Sequence, residues 1–274
     1  MSKTSSIERN DFAQIGIVTR YELLKHLRRR RLFAVLAIDL FVCALQLVIP
    51  PALGISYQSD VKDFAGSFFG FINLLIITSG AFFAGDAIAS EFEHKTGYIT
   101  FVNPVRRVTL VLGKFVAAFL SVVMVISIYY VVGILSMLGI YGSVPLEVGA
   151  SFAYAVLYIC SVLGLTFFFS SIFKGSMGAT LLSFFMLFMI LPIVTAVFTF
   201  TGSEPWYVLT YAAGIITEII NPPSVRVEKI QVPNSDLIIW NFHPVILTSV
   251  VVLALYFAVT LMLSLFIAKR KEMT

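Results

Sequence analysis

Apolar positions follow two patterns along this chain. Near the N-terminus, Phe12, Ile15, Val18, Tyr21, Leu24 and Leu27 recur every three residues, which marks one stripe of a helix. Arg20, Lys25, Arg28, Arg29, Arg30 and Arg31 fill the rest, and Asp11 and Gln14 have the spacing of a capping box. Such a helix lies in the headgroup layer with its apolar face down. It serves as a topology anchor, as an elbow bracing the first span, or as both. From residue 32 the pattern changes to long apolar runs: 32–53, 67–89, 108–138, 150–173, 177–200 and 244–268. Each exceeds the roughly 18 apolar residues needed to cross a bilayer as a helix.

The stretches between the runs are short, with one exception. Pro50 and Pro51 close the first run, since proline cannot continue the helical hydrogen-bond ladder. Residues 54–66 and 139–149 read as loops on one side. Lys174, Gly175 and Ser176 make a tight turn on the other, so the fourth and fifth helices are expected to be antiparallel neighbours. The exception is 201–243. Its segment 206–220 is apolar and aromatic but short, and it carries Glu218, so it reads as a re-entrant or interfacial helix rather than a seventh span. Residues 225–232 read as a short strand. The expected fold is an all-α integral membrane protein. It has six transmembrane helices, an N-terminal amphipathic elbow helix, and a re-entrant or interfacial outer helix between helices 5 and 6. Its units are a tail and elbow at 1–31, a membrane domain at 32–268 and a basic tail at 269–274.

Charge sets the orientation. With the N-terminus inside, 16 of the 19 Lys and Arg fall on the cytoplasmic side, leaving only Lys62, Arg226 and Lys229 outside. Both termini are therefore expected in the cytoplasm of a multi-pass protein of the cell membrane. The net charge of +4 reflects this topology and attraction to anionic headgroups, not nucleic-acid binding. The chain is 59% hydrophobic and 12% charged, so few ionisable groups are available to place, and several of them gather between the second and third runs. Thirty-one mostly polar residues precede the first run, which does not fit a cleavable signal peptide. Cys43 and Cys160 fall inside predicted spans and read as packing residues.

Catalytic patterns are missing from the sequence. No Gly-x4-Gly-Lys-Ser/Thr loop occurs, so the chain is not expected to bind ATP itself. His26, His94 and His243 are far apart, and neither a His-Glu-x-x-His pair nor a Gly-x-Ser-x-Gly elbow occurs. No metal, cofactor or catalytic residue is assigned. Asp39 and Asp86 lie within the runs, where a carboxylate is costly and must face protein or water. A helical rise places both near the inner leaflet. An intramembrane aspartyl protease dyad is one reading, although Gly85-Asp86 lacks the Gly-x-Gly-Asp pattern. Another is structural: Asp39 hydrogen-bonded within the bundle, and Asp86 near the headgroups paired with Lys or Arg. A third gives the two aspartates roles in lining or gating a path. Gly66, Gly70, Gly80, Ala84, Gly85 and Ala89 space small residues four apart on the second span, for packing within the chain or across a dimer face.

The polar stretch 86–114 carries the most information. Glu91, Glu93, His94 and Lys95 are followed by Thr96-Gly97, which can end a helix. Asn103-Pro104 forces a turn, and Arg106 and Arg107 can anchor to headgroups. The result is a short exposed helix clamped at both ends. The series Asp86-x-Ile88-x-x-Glu91, Thr96-Gly97, Pro104-x-Arg106-Arg107 and Leu112-Gly113-Lys114 resembles the inner loop of ABC-2-type permeases, the membrane subunits of one class of ABC transporters. The resemblance takes in the elbow, the six spans, the long outer region and the basic tail. It implies that two permease copies pair, as a homodimer or heterodimer, and that each docks a cytosolic ABC ATPase subunit, which carries the ATP and Mg. Ser90, Glu91, Glu93, His94, Lys95, Thr96 and Gly97 would form the coupling helix of a loop at 90–107. Pro104, Arg106, Arg107 and Lys114 would anchor it. An exporter subunit is the function implied. An ATPase-independent channel or secondary carrier is the alternative, with Asp39, Gln46 and Asn73 as sparse polar candidates.

Overall fold

The computed structural model describes residues 11–93, 106–231 and 238–271. Helix α1 (Asp11–Arg28) ends at a one-residue break, where Arg29 turns extended, and α2 (Arg30–Ala52) starts the first span. The second span consists of three pieces: α3 (Val61–Phe69), α4 (Ile72–Ala84) and α5 (Ala89–Glu93). Then come α6 (Arg107–Tyr141) and α7 (Glu147–Ile172). The fifth span is α8 (Ser176–Phe185), a wide turn at Met186–Ile190, and α9 (Leu191–Thr201). Beyond it lie the single turns α10 (Leu209–Ala212) and α11 (Ile215–Glu218), the strands β1 (Val227–Gln231) and β2 (Ile238–Phe242), and the last span α12 (Ile246–Arg270). Among the described residues, six helical stretches are long and apolar enough to cross a membrane, and the chain is an all-α membrane protein apart from the paired strands β1 and β2.

The second span lies at the centre. Its segment is mostly buried, whereas the first, fifth and sixth spans present much of their surface outward. The expected continuous helix at 67–89 is corrected here: it starts at Val61 and breaks twice, at Gly70-Phe71 and between Ala84 and Ala89. At the first break the Tyr129 hydroxyl from α6 donates to the Phe68 carbonyl, and Gln46 Nε2 from α2 donates to Tyr129 Oη at 3.0 Å. A side-chain relay thus ties three spans together where backbone pairing changes. Around it Phe68 stacks on Tyr129 and Phe69 stacks on Tyr130 at 4.4 Å. Gly133 leaves room for these rings, since a Cβ there would stand 2.9 Å from both Phe68 and Phe69.

Gly80 and Gly85 of the second span face other helices of the same chain. A Cβ on Gly80 would meet Val162 of α7 at 2.8 Å, and one on Gly85 would meet the Thr180 Cα of α8 at 2.8 Å. Helix α7 packs along α12 and beside α8, so the fourth and fifth spans are neighbours as expected. The wide turn of the fifth span immediately precedes Leu191-Pro192. Proline lacks the N–H and crowds the carbonyl four residues back, and a π-type turn relieves that conflict.

The end of the bundle remote from α1 is closed by residues 201–231 and 238–243. Helices α10 and α11 fold back between spans, burying Leu209, Ala212, Ile215, Ile216 and Ile220, while Trp206 and Tyr207 stay exposed. The expected strand at 225–232 is found as β1, paired antiparallel with β2 in the register Lys229 to Trp240. Lys229 lies over the Trp240 ring at 4.3 Å, and the indole covers Gly202, whose φ of +72° suits glycine. Lys62 to Glu147 and Arg226 to Glu204 complete this end.

Candidate coupling interface

Polar side chains converge at the opposite end, which carries α1 and α5. Lys114 lies eight residues into α6 and is buried. Its ammonium contacts Glu91 Oε1 at 2.5 Å, donates to the Ala87 carbonyl at 2.9 Å, and stands 3.5 Å from Glu22 Oε1. It therefore joins α6, the end of the second span and the elbow helix at one cation. Lys25 adds a second contact to Glu22 at 2.9 Å. Burial pushes the Glu22 carboxyl up, but Lys114 and Lys25 outweigh it and hold Glu22 below the ordinary carboxylate range. Lys114 thus acts as an internal tie, not the headgroup anchor that its position near a span end suggests.

The elbow helix is seated by shape as well as charge. Gly113 faces Val18, whose Cγ1 would lie 2.6 Å from a Cβ at that position, and Thr19 Oγ1 donates to the Gly113 carbonyl at 3.2 Å. A glycine in mid-helix loses conformational stability but allows this close approach. Helix α1 thus packs closely on α6. His26 packs edge-on against Phe83, with ring centroids 5.4 Å apart.

Other expected site residues are also tied to neighbours. Glu93 accepts from the Ser176 backbone N–H at 2.7 Å, an acidic group at the N-terminus of α8 where the helix dipole favours it. Ser170 Oγ accepts from the Ile88 and Ala89 N–H groups at 3.0 and 3.1 Å, supplying partners at the start of α5. Ser90 lines a groove with Lys25, Arg29, Arg30 and Asp86. Arg106 pairs with Asp11 at 3.0 Å, and Arg107 donates to the Lys271 carbonyl at 2.8 Å. Lys271 Nζ in turn caps α7 through the Ser171 and Phe173 carbonyls at 2.8 and 2.7 Å. His94, Lys95, Thr96, Gly97 and Pro104 lie outside the described residues. The network missed by sequence reasoning is the set Glu22, Lys25, Ser170 and Lys271. Glu22 is one of two carboxylates, with Asp11, on the basic elbow, and Lys25 was visible only as part of its basic face.

Asp86 behaves as the structural reading expects. It pairs with Arg31 at 2.6 Å, with Arg29 at 3.8 Å. Asp39 does not. Its carboxylate is fully buried, yet neither oxygen has a hydrogen-bond partner among the described residues, which corrects the expectation of a bonded Asp39. Asp86 is held by Arg31 at the start of α2, whereas Asp39 lies eight residues further along that helix. Neither Asp39 oxygen has a hydrogen-bond partner, so the described residues do not pair the two carboxyls as a protease dyad requires. Gln46 and Asn73, the other polar candidates for a pore, are bonded to Tyr129 and Tyr158.

A family profile described as ABC-2 family transporter protein matches residues 45–266. The chain belongs to the ABC-2 transporter family. Its members are membrane subunits of ABC transporters, and this chain is a multi-pass permease subunit of that kind. A search of curated proteins finds no match to it. The family profile begins within α2, so the elbow helix is outside the match, and the network at Lys114 joins that helix to the matched part.

One consequence of the elbow's seat is dependence on pH. Burial lowers the His26 imidazole from its ordinary value near 6.5 to about 4, with Glu22 opposing and Lys25 and Arg29 assisting. Between those values the unfolded chain binds the proton and the folded one does not. The contribution is thus full above pH 6.5 and is lost as pH falls towards 4. Acidification over this window should loosen the elbow by at most roughly 3 kcal/mol, and His26→Phe should flatten the dependence. The distance between spin labels on α1 and α6, followed against pH, measures it.

Proposed function

We propose that the chain forms the translocation path of an ABC exporter and is driven by a separate cytosolic ATPase that docks on residues 90–107. In this reading the end carrying both termini faces the cytoplasm of the cell membrane, and two permease copies pair. ATP and Mg belong to the ATPase, and the chain itself is not an enzyme. The supporting observation is the Lys114 hub. A force applied to the loop after α5 reaches α6 and the elbow directly, because Glu91 and Glu22 share one buried ammonium. Glu93 on Ser176 carries the same force to the fifth span. Rigid-body displacement of the loop then moves three spans together. The roles divide accordingly: Glu91 and Glu93 fasten the coupling helix to the bundle, and His94, Lys95, Thr96 and Gly97 make the ATPase contact. Arg106 and Arg107 fasten its far side to α1 and the C-terminal tail.

The test replaces residues 94–97 with a Gly-Ser linker of equal length, leaving Glu91 and Glu93 in place. The full chain, purified from native membranes, is expected to carry a P-loop ATPase with an ABC signature. The linker variant should keep its unfolding temperature and lose that partner. Retention of the ATPase by the variant, or transport by the purified chain without ATP, would overturn the proposal in favour of an autonomous channel or carrier.

A further inference from the structure

Asp39 is the one acidic side chain of the spans whose oxygens are both buried and both unpartnered among the described residues. Its burial is specific. Ile38, Leu40 and Phe41 beside it are exposed on the outer surface of α2, whereas Asp39 shares the inward face with Val35, Val42 and Cys43. The groups around it offer no charge to balance a carboxylate. On its own helix, Arg31 is two turns away and held by Asp86, and Cys43 is a thiol one turn on. Helix α6 presents Tyr129, whose hydroxyl is committed to Phe68 while accepting from Gln46. Lys114 of the same helix is engaged by Glu91 and Glu22. Helix α4 has no titratable residue; of the ionisable groups of α1, Glu22 is engaged by Lys25 and Lys114, Asp11 by Arg106 at the far end of that helix, and His26 packs on Phe83.

An ionised carboxylate without a partner or water is expensive in a low-dielectric interior, while the neutral acid is tolerated far better. We propose that Asp39 is a proton-binding site of the bundle. It holds a proton in the packed conformation described above and gives it up to water when α2 separates from α4 and α6. The packed state then binds the proton more tightly than the opened one, so acid favours packing and alkali favours opening. This inference does not depend on the ATPase reading, since it concerns only the conformational equilibrium of the permease.

Infrared difference spectra of the full chain in lipid vesicles test it. At neutral pH the wild type minus Asp39→Asn spectrum should contain a carboxylic-acid carbonyl band, which ionised carboxylates lack. Raising the pH of the wild type alone should remove that band. The natural thiol at Cys43 reports the opening. The ratio of its maleimide reaction rate in wild type to that in Asp39→Asn cancels the thiol's own pH dependence. That ratio should climb with pH, by up to about tenfold per unit, the limit for one linked proton. Asparagine has the shape of the neutral acid, so the variant retains the packing. Absence of the acid band at neutral pH, or a rate ratio flat with pH, would overturn the proposal.

Discussion

Lys114→Met is expected to cost about 3–5 kcal/mol of stability, the range for removing one partner of a buried ion pair. The ammonium is only 9% exposed, and its two carboxylates, Glu91 and Glu22, are 15% and 17% exposed. Methionine fills the volume of the lysine stem but removes the Lys114 cation from Glu91 and the Ala87 carbonyl, and leaves Glu22 with Lys25 alone. The loss is therefore of charge compensation, not of packing. Thermal unfolding of the purified permease measures it. The triple variant Lys114→Met, Glu91→Gln, Glu22→Gln should recover much of the lost stability, because neutralising the two buried acids together with their shared cation removes most of the cost of desolvating charge. On the proposed mechanism that triple variant should still be defective in ATP-driven function, since stability returns without the tie between loop and bundle.

Gly113→Leu tests the neighbouring contact by shape alone. A Cβ at this position already falls 2.6 Å from Val18 Cγ1 and 3.3 Å from the Ile15 carbonyl, and a full isobutyl group has no free volume to enter. The helix α6 itself tolerates leucine better than glycine by about 1 kcal/mol, so the substitution does not weaken the span. What must yield is the elbow. Overpacking of this kind costs about 1–3 kcal/mol, and here undocking α1 from α6 would relieve it. Hydrogen exchange is expected to rise across α1 while α6 stays protected. The Thr19 to Gly113 hydrogen bond should be lost with it. Uniform loss of protection throughout the bundle would mean that the glycine serves the core instead.

The six spans were legible because hydrocarbon imposes a length and an apolar composition that a sequence cannot disguise. The stripe from Phe12 to Leu27 marked a helix, found as α1, although Phe12, Tyr21 and Leu24 of that stripe are exposed. The breaks in the second span were hidden. Its run is apolar on all sides, and the partner that answers the break, Tyr129, lies sixty residues away in the middle of another apolar run. The π-type turn had a visible cause in Pro192, but a proline inside an apolar run gives no sign of which turn widens. Lys114 shows the limit most clearly. A lysine near the start of a span looks like a headgroup anchor, and only the fold brings Glu22 and Glu91 to it from two other elements. Asp39 is the reverse case: one-dimensional reasoning assumes that a buried carboxylate finds a donor, and here none of the packed helices supplies one.

These observations share one mechanical premise, that the segment following Glu93 is pushed by a partner and that Glu91, Lys114 and Glu22 carry the push inward. The most direct measurement is site-specific photocross-linking from residue 95 in native membranes, with adducts identified by mass spectrometry. The account predicts an adduct with a cytosolic ABC ATPase whose yield changes with nucleotide. A probe at residue 95 that captures no ATPase, and instead reacts with an impermeant reagent added outside the cell, would contradict it.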